Sequence, residues 1–470
     1  MRTNIPARLD RLPWCRFHVL LVAALGITWI LDGLEVTIVG SIGPILQDPR
    51  TLHLSAQAIG GAASVYVVGA VVGALLFGWL TDRFGRKSIF SVTLGIYVIG
   101  VLLSAFSWDM RSFMLFRCLT GVGIGGEYAA INSAIDELIP ARLRGRVDLI
   151  VNGSFWIGAG AGAGASLFLL SGNMMNIDLG WRLGFGVGGV LGLVMLLLRR
   201  WVPESPRWLV THGKHSESHA VIAEIERRVM RCTGASLEAV HESLMVYPRK
   251  VFGYRYVLRA MLGQYKMRSL LVLVMMVAQA CLYNAVFFTY GMVLTKYEHV
   301  SATKVGLFIL PIATSNFLGP LLLGKYFDTI GRRRMIFSTY AISGVLMLLV
   351  AGLFAGGQLT ALTQTLGWAA IFFFASAAAS AAYLTASEVF PLETRATAIA
   401  LFYAFGMIFA AGTPWIFGEL IGAGGPVPVA IGYGFAAVLM LVAGFTALRI
   451  GVDCEGRSLE SIAPPLSSSS

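Results

Sequence analysis

"GWLTDRFGRK", Gly78 to Lys87, closes a stretch in which no Lys, Arg, Asp or Glu occurs between Arg50 and Asp82. An aspartate, two glycines and three cations then arrive together. "GKYFDTIGRRR", Gly324 to Arg334, repeats the pattern: Gly, an Asp four positions on, Gly three beyond, then basic residues. Asp82 thus recurs as Asp328, 246 positions later. A second landmark behaves alike. "DELIPARLRG" places Glu137 seven residues before Arg144, and "SEVFPLETRA" places Glu388 seven before Arg395, an offset of 251. Two landmarks at nearly one offset indicate a duplicated architecture.

Composition gives the class. The 470 residues are 56% hydrophobic and 13% charged, with mean hydropathy +0.74, where a soluble domain carries about a quarter charged residues. Apolar stretches of roughly 20 residues, each long enough to cross a ~30 Å hydrocarbon layer as a helix, recur throughout. The expected spans are 17–45, 57–80, 88–107, 111–135, 147–171, 182–200, 269–294, 304–324, 335–355, 363–387, 398–421 and 428–449. A backbone in lipid must satisfy its own hydrogen bonds, so the spans are helices. The expectation is an all-α membrane protein of twelve transmembrane helices in two pseudo-symmetric six-helix halves.

The amino-terminal "MRTNIPARLDRLPWCRF" is basic, but the apolar run behind it is too long for a signal core, so the first span is expected to be retained. The five cysteines show neither disulfide nor metal spacing. Lys and Arg divide sharply. Thirty of the 36 fall on the segments of one side, against Arg50, Arg111, Arg182, Lys296 and Lys304 on the other. The positive-inside rule then places both termini in the cytoplasm and the protein in the cell membrane. The net charge of +11 is accordingly a topology signal, and no soluble basic domain offers itself to nucleic acid.

The organisation read from these boundaries is a first half at 1–200, a cytoplasmic link with short helices at 201–268, a second half at 269–450 and a disordered tail at 451–470. "HAVIAEIERRVM" in the link has apolar residues at helical spacing. Two parallel six-helix repeats are a transporter plan, with substrate held near the midplane between them.

At this point the chain resembles the major facilitator superfamily, and within it the sugar porters and the related metabolite–proton and organic-acid symporters. The resemblance rests on both copies of the opening motif, on Arg117-x-x-x-Gly121-x-Gly123, on both Glu-x6-Arg pairs and on "PESPRWL", Pro203 to Leu209. It implies that Asp82, Gly85 and Arg86, with Glu137, Arg144, Glu204 and Arg207, and Asp328, Gly331, Arg332, Glu388 and Arg395, form a charged gate at the cytoplasmic mouth. Gly78 and Gly85 are expected to let the helix end and turn closely. The plainer reading, positive-inside anchoring with solvated charges, explains the cations but not the spaced acids.

Charge inside a membrane costs about 2.5 kcal/mol or more and marks function. "LDGLEV" puts Asp32 and Glu35 three apart on one helical face, and the fourth span supplies Arg117 and Glu127. Glu35 and Arg117 fall at matched depth in the outer half. By resemblance Glu35 stands where sugar–proton symporters carry their coupling aspartate, and Arg117 matches their helix-four arginine; the alternative is a static bridge between two helices. Asp32, Glu127 and Glu419 are further candidates for the proton.

For substrate, "QACLYNAVFFTY" resembles the sugar-porter seventh helix. Gln279 and Asn284 match its second glutamine and asparagine. The first glutamine is replaced by Ala278 and the tyrosine pair by Phe288-Thr289. Asn152, with Trp156 one turn on, stands for the fifth-helix glutamine, and Tyr383 for the tenth-helix tryptophan. A sugar site needs many matched hydrogen bonds, and several have gone. The expected substrate is a small polar organic metabolite, an organic acid rather than a hexose; for each amide the competing role is hydrogen bonding between helices. "AGAGAGAS", Ala159 to Ser166, reads as close helix packing. No paired-His metal site, nucleophile elbow or phosphate loop appears, so the expectation is a transporter needing no cofactor or metal, not an enzyme. Its partners are a small molecule, protons and the bilayer, and it works as a monomer. A receptor on the same fold would need a larger signalling tail.

Overall fold

The structure is a computed structural model describing residues 2–46, 48–54, 56–169, 177–198, 202–234, 236–240, 244–245, 253–287, 289–300 and 305–464. After β1 (Arg2–Thr3) and α1 (Ile5–Asp10), the first half contains α2 (Arg16–Leu46), α3 (Ala56–Phe84), α4 (Arg86–Ala105), α5 (Met110–Leu138), α6 (Arg144–Gly153), α7 (Phe155–Leu169) and α8 (Ile177–Leu198). The link contributes α9 (Pro206–Thr211), α10 (His215–Thr233), β2 (Leu244–Met245, paired antiparallel to β1) and α11 (Tyr254–Leu262). The second half follows as α12 (Lys266–Phe287), α13 (Tyr290–Tyr297), α14 (Val305–Thr329), α15 (Arg332–Ala355), α16 (Ala361–Glu388), α17 (Arg395–Ala411), α18 (Thr413–Gly422) and α19 (Pro426–Ile450), with α20 (Leu459–Ile462) last.

The twelve expected spans are present, three of them interrupted. The fifth is α6 and α7, broken at Ser154; the seventh is α12 and α13; the eleventh is α17 and α18, broken at Gly412. Among the described residues ten helical stretches are long and apolar enough to cross a membrane on those grounds alone. The other two are α5, which carries Arg117, Glu127, Asp136 and Glu137, and the divided α6–α7 pair. Outer faces are apolar at helical spacing, as at Ile431, Phe435, Val438, Val442 and Phe445 on α19, all exposed to the place lipid occupies.

Small residues set the close contacts. A Cβ on Gly158 would meet the Ile30 carbonyl at 1.8 Å, and one on Gly33 the Phe155 carbonyl at 2.0 Å, so α2 and α7 touch through their backbones. Within the run Ala159 to Ser166 only Gly162 packs in this way, an added Cβ reaching the Leu34 carbonyl at 2.6 Å, while Gly160 and Gly164 meet nothing within 4 Å. Gly78 behaves likewise rather than ending a helix: α3 continues to Phe84, and a Cβ on Gly78 would lie 2.4 Å from Ala400 Cβ of α17, in the other half. Gly85 and Gly331 do make the turns, at φ +100° and +112°, and α4 and α15 start immediately after them.

The tail expected to be disordered is not so over 451–464; 465–470 lie outside the described residues. Leu459, Ile462 and Ala463 are buried, and Glu460 accepts two 2.8 Å hydrogen bonds from Arg207 Nη1. Polar composition concealed a segment fixed by one buried ion pair.

Candidate functional site

A cavity of about 430 Å³ lies between the halves. Its wall takes in Leu46 at the end of α2, Ile59 at the start of α3 and Phe113 at the start of α5, so it runs from mid-depth toward the end opposite the two motif repeats. Asn152, Trp156, Gln279, Asn284 and Tyr383 all line it, together with Asp32 and Arg117. Sequence reasoning missed most of the aromatic wall. Tyr128 stacks on Tyr403 at 4.8 Å between ring centroids and meets Trp29 edge-on at 4.6 Å, while Trp156 stacks on Tyr283 at 5.9 Å. Tyr383 sits against both Trp29 and Tyr128. Nothing local in the sequence marks Tyr403 as the partner of Tyr128, or Tyr283 as the partner of Trp156, across the cavity.

The amides are partly engaged. Asn284 Nδ2 donates to the Ala280 carbonyl at 2.8 Å. Asn152 Nδ2 donates to Asn132 Oδ1 at 3.1 Å and to the Asp148 carbonyl at 2.9 Å. Asn152 Oδ1 and Trp29 Nε1 have no hydrogen-bond partner among the described residues. Buried polar atoms are nearly always paired, so an acceptor and a donor stand unfilled at residues that line the cavity.

The charged residues separate into two sets. Glu35 forms an ion pair with Arg117 Nη1, and both side chains are 2% exposed. The guanidinium also lies over the Tyr66 ring, 4.4 Å from its centroid. Asp32 instead accepts hydrogen bonds from Tyr128 at 2.5 Å and Tyr66 at 3.2 Å. Asp32 and Glu35, three apart on α2, therefore have different partners, and Tyr66 touches both sets. Glu127 is buried beside Thr28, Trp29 and Asp32. Glu419 is exposed and does not line the cavity.

At the opposite, basic end the repeats interlock crosswise. The Asp82 carboxylate of α3 accepts from Ala396 N at 3.2 Å, Thr397 N at 2.8 Å and Thr397 Oγ1 at 2.7 Å, so it caps α17 of the other half. Asp328 of α14 accepts from Gly145 N at 3.1 Å and Arg146 N at 2.7 Å, capping α6. Each motif aspartate thus occupies a helix N-terminus, where free N–H groups and the helix dipole favour an anion. Within each half Arg86 binds Glu137 at 2.8 Å and Arg332 binds Glu388 at 3.0 Å. Between halves Arg395 reaches Glu137 at 3.4 Å and Arg144 reaches Glu388 at 3.5 Å. Both residues of each Glu-x6-Arg pair therefore reach across to the other half, the Glu of one copy meeting the Arg of the other.

Glu204 accepts from Arg86 N at 2.9 Å, closing the turn at Gly85, and Glu455 accepts from Arg332 N at 3.2 Å in the equivalent place. Burial pushes the Glu204 carboxyl above its ordinary range, against the pull of the Ser205 N–H and the Arg86 charge. Arg207 turns away from the repeats to Glu460 and, at 3.0 Å, to Asp10. Asp10, Glu455 and Glu460 carried no motif, and only folding brings them here.

A bundle of twelve spanning helices, with a mid-depth cavity between two halves and its floor closed by bonds between them, defines a secondary transporter of small molecules. The chain belongs to the sugar (and other) transporter family, which matches residues 21–465. It is 25% identical to the niacin transporter NiaP of Acinetobacter baylyi over 98% of this chain and 99% of that one. It is 27% identical to a gallate transporter of Pseudomonas putida over 88% of this chain and 87% of the relative. The major facilitator fold is shared with the proton:xylose symporter XylE bound to 6-bromo-6-deoxy-D-glucose, at TM-score 0.77 and 18% identity over 94% of this chain and 98% of the other.

Proposed function

We propose that the protein is a proton-coupled symporter of a small aromatic organic acid, working by alternating access in the cell membrane. The observation that carries the reading is the Glu35–Arg117 pair, whose arginine lines an aromatic-walled cavity. Glu35 neutralises Arg117 while ionised. A proton on Glu35 weakens that pairing and leaves the guanidinium for a carboxylate arriving from the cavity. Proton and anion then load together without net charge. Trp156, Tyr283 and the Trp29–Tyr128–Tyr403 group offer faces for a ring, while Trp29 Nε1, Asn152, Gln279 and Asn284 offer polar contacts. The names of two relatives, a niacin and a gallate transporter, agree with this substrate class.

On this reading the basic end faces the cytoplasm, as the thirty-to-five division of Lys and Arg supports. The crossed latch there holds the cavity open outward, and the monomer is the working unit. Asp32, held by two tyrosines, shares the proton role. The test is uptake of a labelled panel into proteoliposomes with an imposed pH gradient or, separately, a potassium-diffusion potential. Accumulation of an aromatic acid driven by the pH gradient and indifferent to the potential is expected. Accumulation of hexoses in preference, or none driven by the pH gradient, refutes the reading.

A further inference from the structure

Two buried carboxyls belong to neither the cavity nor the latch. Asp136 on α5 and Asp148 on α6 are both 0% exposed, and none of their four carboxylate oxygens accepts a hydrogen bond among the described residues. Ser387 and Asn152 are the polar side chains that approach them. Asn152, one turn after Asp148, donates to the Asp148 carbonyl and to Asn132, one turn before Asp136, and also lines the cavity. On the other side lie Arg144, Arg332, Arg395 and Glu388 of the latch. The pair therefore stands between substrate cavity and latch.

Among the described residues the arginines beside the pair are committed to the latch acids, although Arg144 Nε and Nη2 and Arg395 Nε make no hydrogen bond. Asp82, Glu137, Asp328 and Glu388 are matched by Arg86, Arg144, Arg332 and Arg395, with every side chain at most 8% exposed. Arg207 already holds Glu460 and Asp10, and Arg268 donates to the Val389 carbonyl at 2.9 Å. Cys454 faces the same cluster and adds no positive charge. Ionised, Asp136 and Asp148 would be two unmatched charges beside each other in a dry layer, which like-charge repulsion and burial both oppose. The repeat supplies an internal comparison. At the offset of 251 that carries Glu137 to Glu388, Asp136 becomes Ser387 and Asp148 becomes Ile399. The second half builds its share of the latch without these acids, so latching does not require them.

We propose that Asp136 and Asp148 form a proton-binding pair that ties the latch to pH. In the state closed at the basic end the pair holds at least one proton. Opening that end admits water, which solvates the carboxylates, and the proton leaves to that side; closing requires a proton to return. This device is independent of the role given to Glu35, and each can fail without the other.

The experiment uses the full chain in lipid nanodiscs, without substrate, with spin labels placed across the basic end. For the parent, the open-to-closed ratio is expected to rise with pH between 5.5 and 8.5, by up to about tenfold per pH unit for each linked proton. Asp136→Asn/Asp148→Asn is expected to remain mainly closed with no slope, and Glu419→Gln, at an exposed carboxyl outside cavity and latch, to keep the parental slope. Infrared spectra at neutral pH should show a protonated-carboxyl C=O band that Asp148→Asn shifts or removes, which serves if the double variant does not fold. An unchanged slope in the double variant, a flat parent, or a slope lost equally in Glu419→Gln overturns the proposal. So does an opening that follows sodium at fixed pH and vanishes in the double variant, because the pair would then be a metal-cation site.

Discussion

Replacing Asp82 by Asn gives the most direct measure of the latch. The carboxylate accepts three hydrogen bonds across the interface, from Ala396 N, Thr397 N and Thr397 Oγ1. An amide keeps one oxygen acceptor and turns an N–H₂ toward groups that donate, so it can satisfy the first turn of α17 only in part. A hydrogen bond to a charged group is worth about 1.5–3 kcal/mol. Losing two such bonds is offset by no longer burying the charge, which leaves a net loss of about 1.5–3 kcal/mol. At about 1.4 kcal/mol per tenfold, the closed-to-open ratio at the basic end falls roughly ten- to hundredfold. The Gly78–Ala400 contact remains, so the helices still meet. Paired spin labels at the two ends report the change: distances across the basic end should lengthen and those across the cavity mouth should shorten. Asp328→Asn should act in the same direction through α6. An unchanged distribution in folded Asp82→Asn would refute the latch and leave the motif a purely topological role.

Other outcomes follow from the same geometry. Glu35→Gln should lose accumulation driven by a pH gradient while retaining substrate exchange, measured in counterflow; undiminished accumulation would remove Glu35 from coupling. In a competition series hexoses should compete weakly and aromatic carboxylates strongly, since each buried polar group left unfilled costs about 1–3 kcal/mol; Asn284→Ala should weaken the preferred ligand, and indifference to it would move the site elsewhere in the cavity. Glu460→Ala leaves Arg207 buried with only Asp10, and breaking a buried pair costs about 3–5 kcal/mol, so the thermal midpoint should fall, whereas an equal midpoint would make the tail contact incidental. Burial pushes Glu226 up, but Arg8 and Arg11 outweigh it and hold the carboxyl below its ordinary value of 4.5. The docking of α1 on α10 is therefore fully stabilised above that pH and lost as pH falls through the lower folded value; proteolysis of the amino-terminal segment against pH should show this, and Glu226→Gln should abolish the dependence.

Sequence alone determined the class. Hydropathy and length fixed helices because lipid offers no partner to a bare backbone, and the offsets of Asp82 to Asp328 and Glu137 to Glu388 revealed the duplication. It also singled out Asn152, Trp156, Gln279, Asn284 and Tyr383, which the fold brings to the cavity wall, although there the resemblance to a family supplied the positions. What it did not contain was partnership. Motif spacing suggests that Glu137 belongs with Arg144, yet the fold gives Glu137 to Arg86 and Arg395, and Arg144 to Glu388. Asp32 and Glu35 share a helix face in sequence but divide between two tyrosines and an arginine. Glu460 looked like part of a polar tail until Arg207, 253 positions away, closed on it. Helix formation is local, set by the nearest few residues and the solvent, so a string can declare it. Charge pairing between packed helices depends on which faces meet and at what depth, and only the assembled bundle decides that.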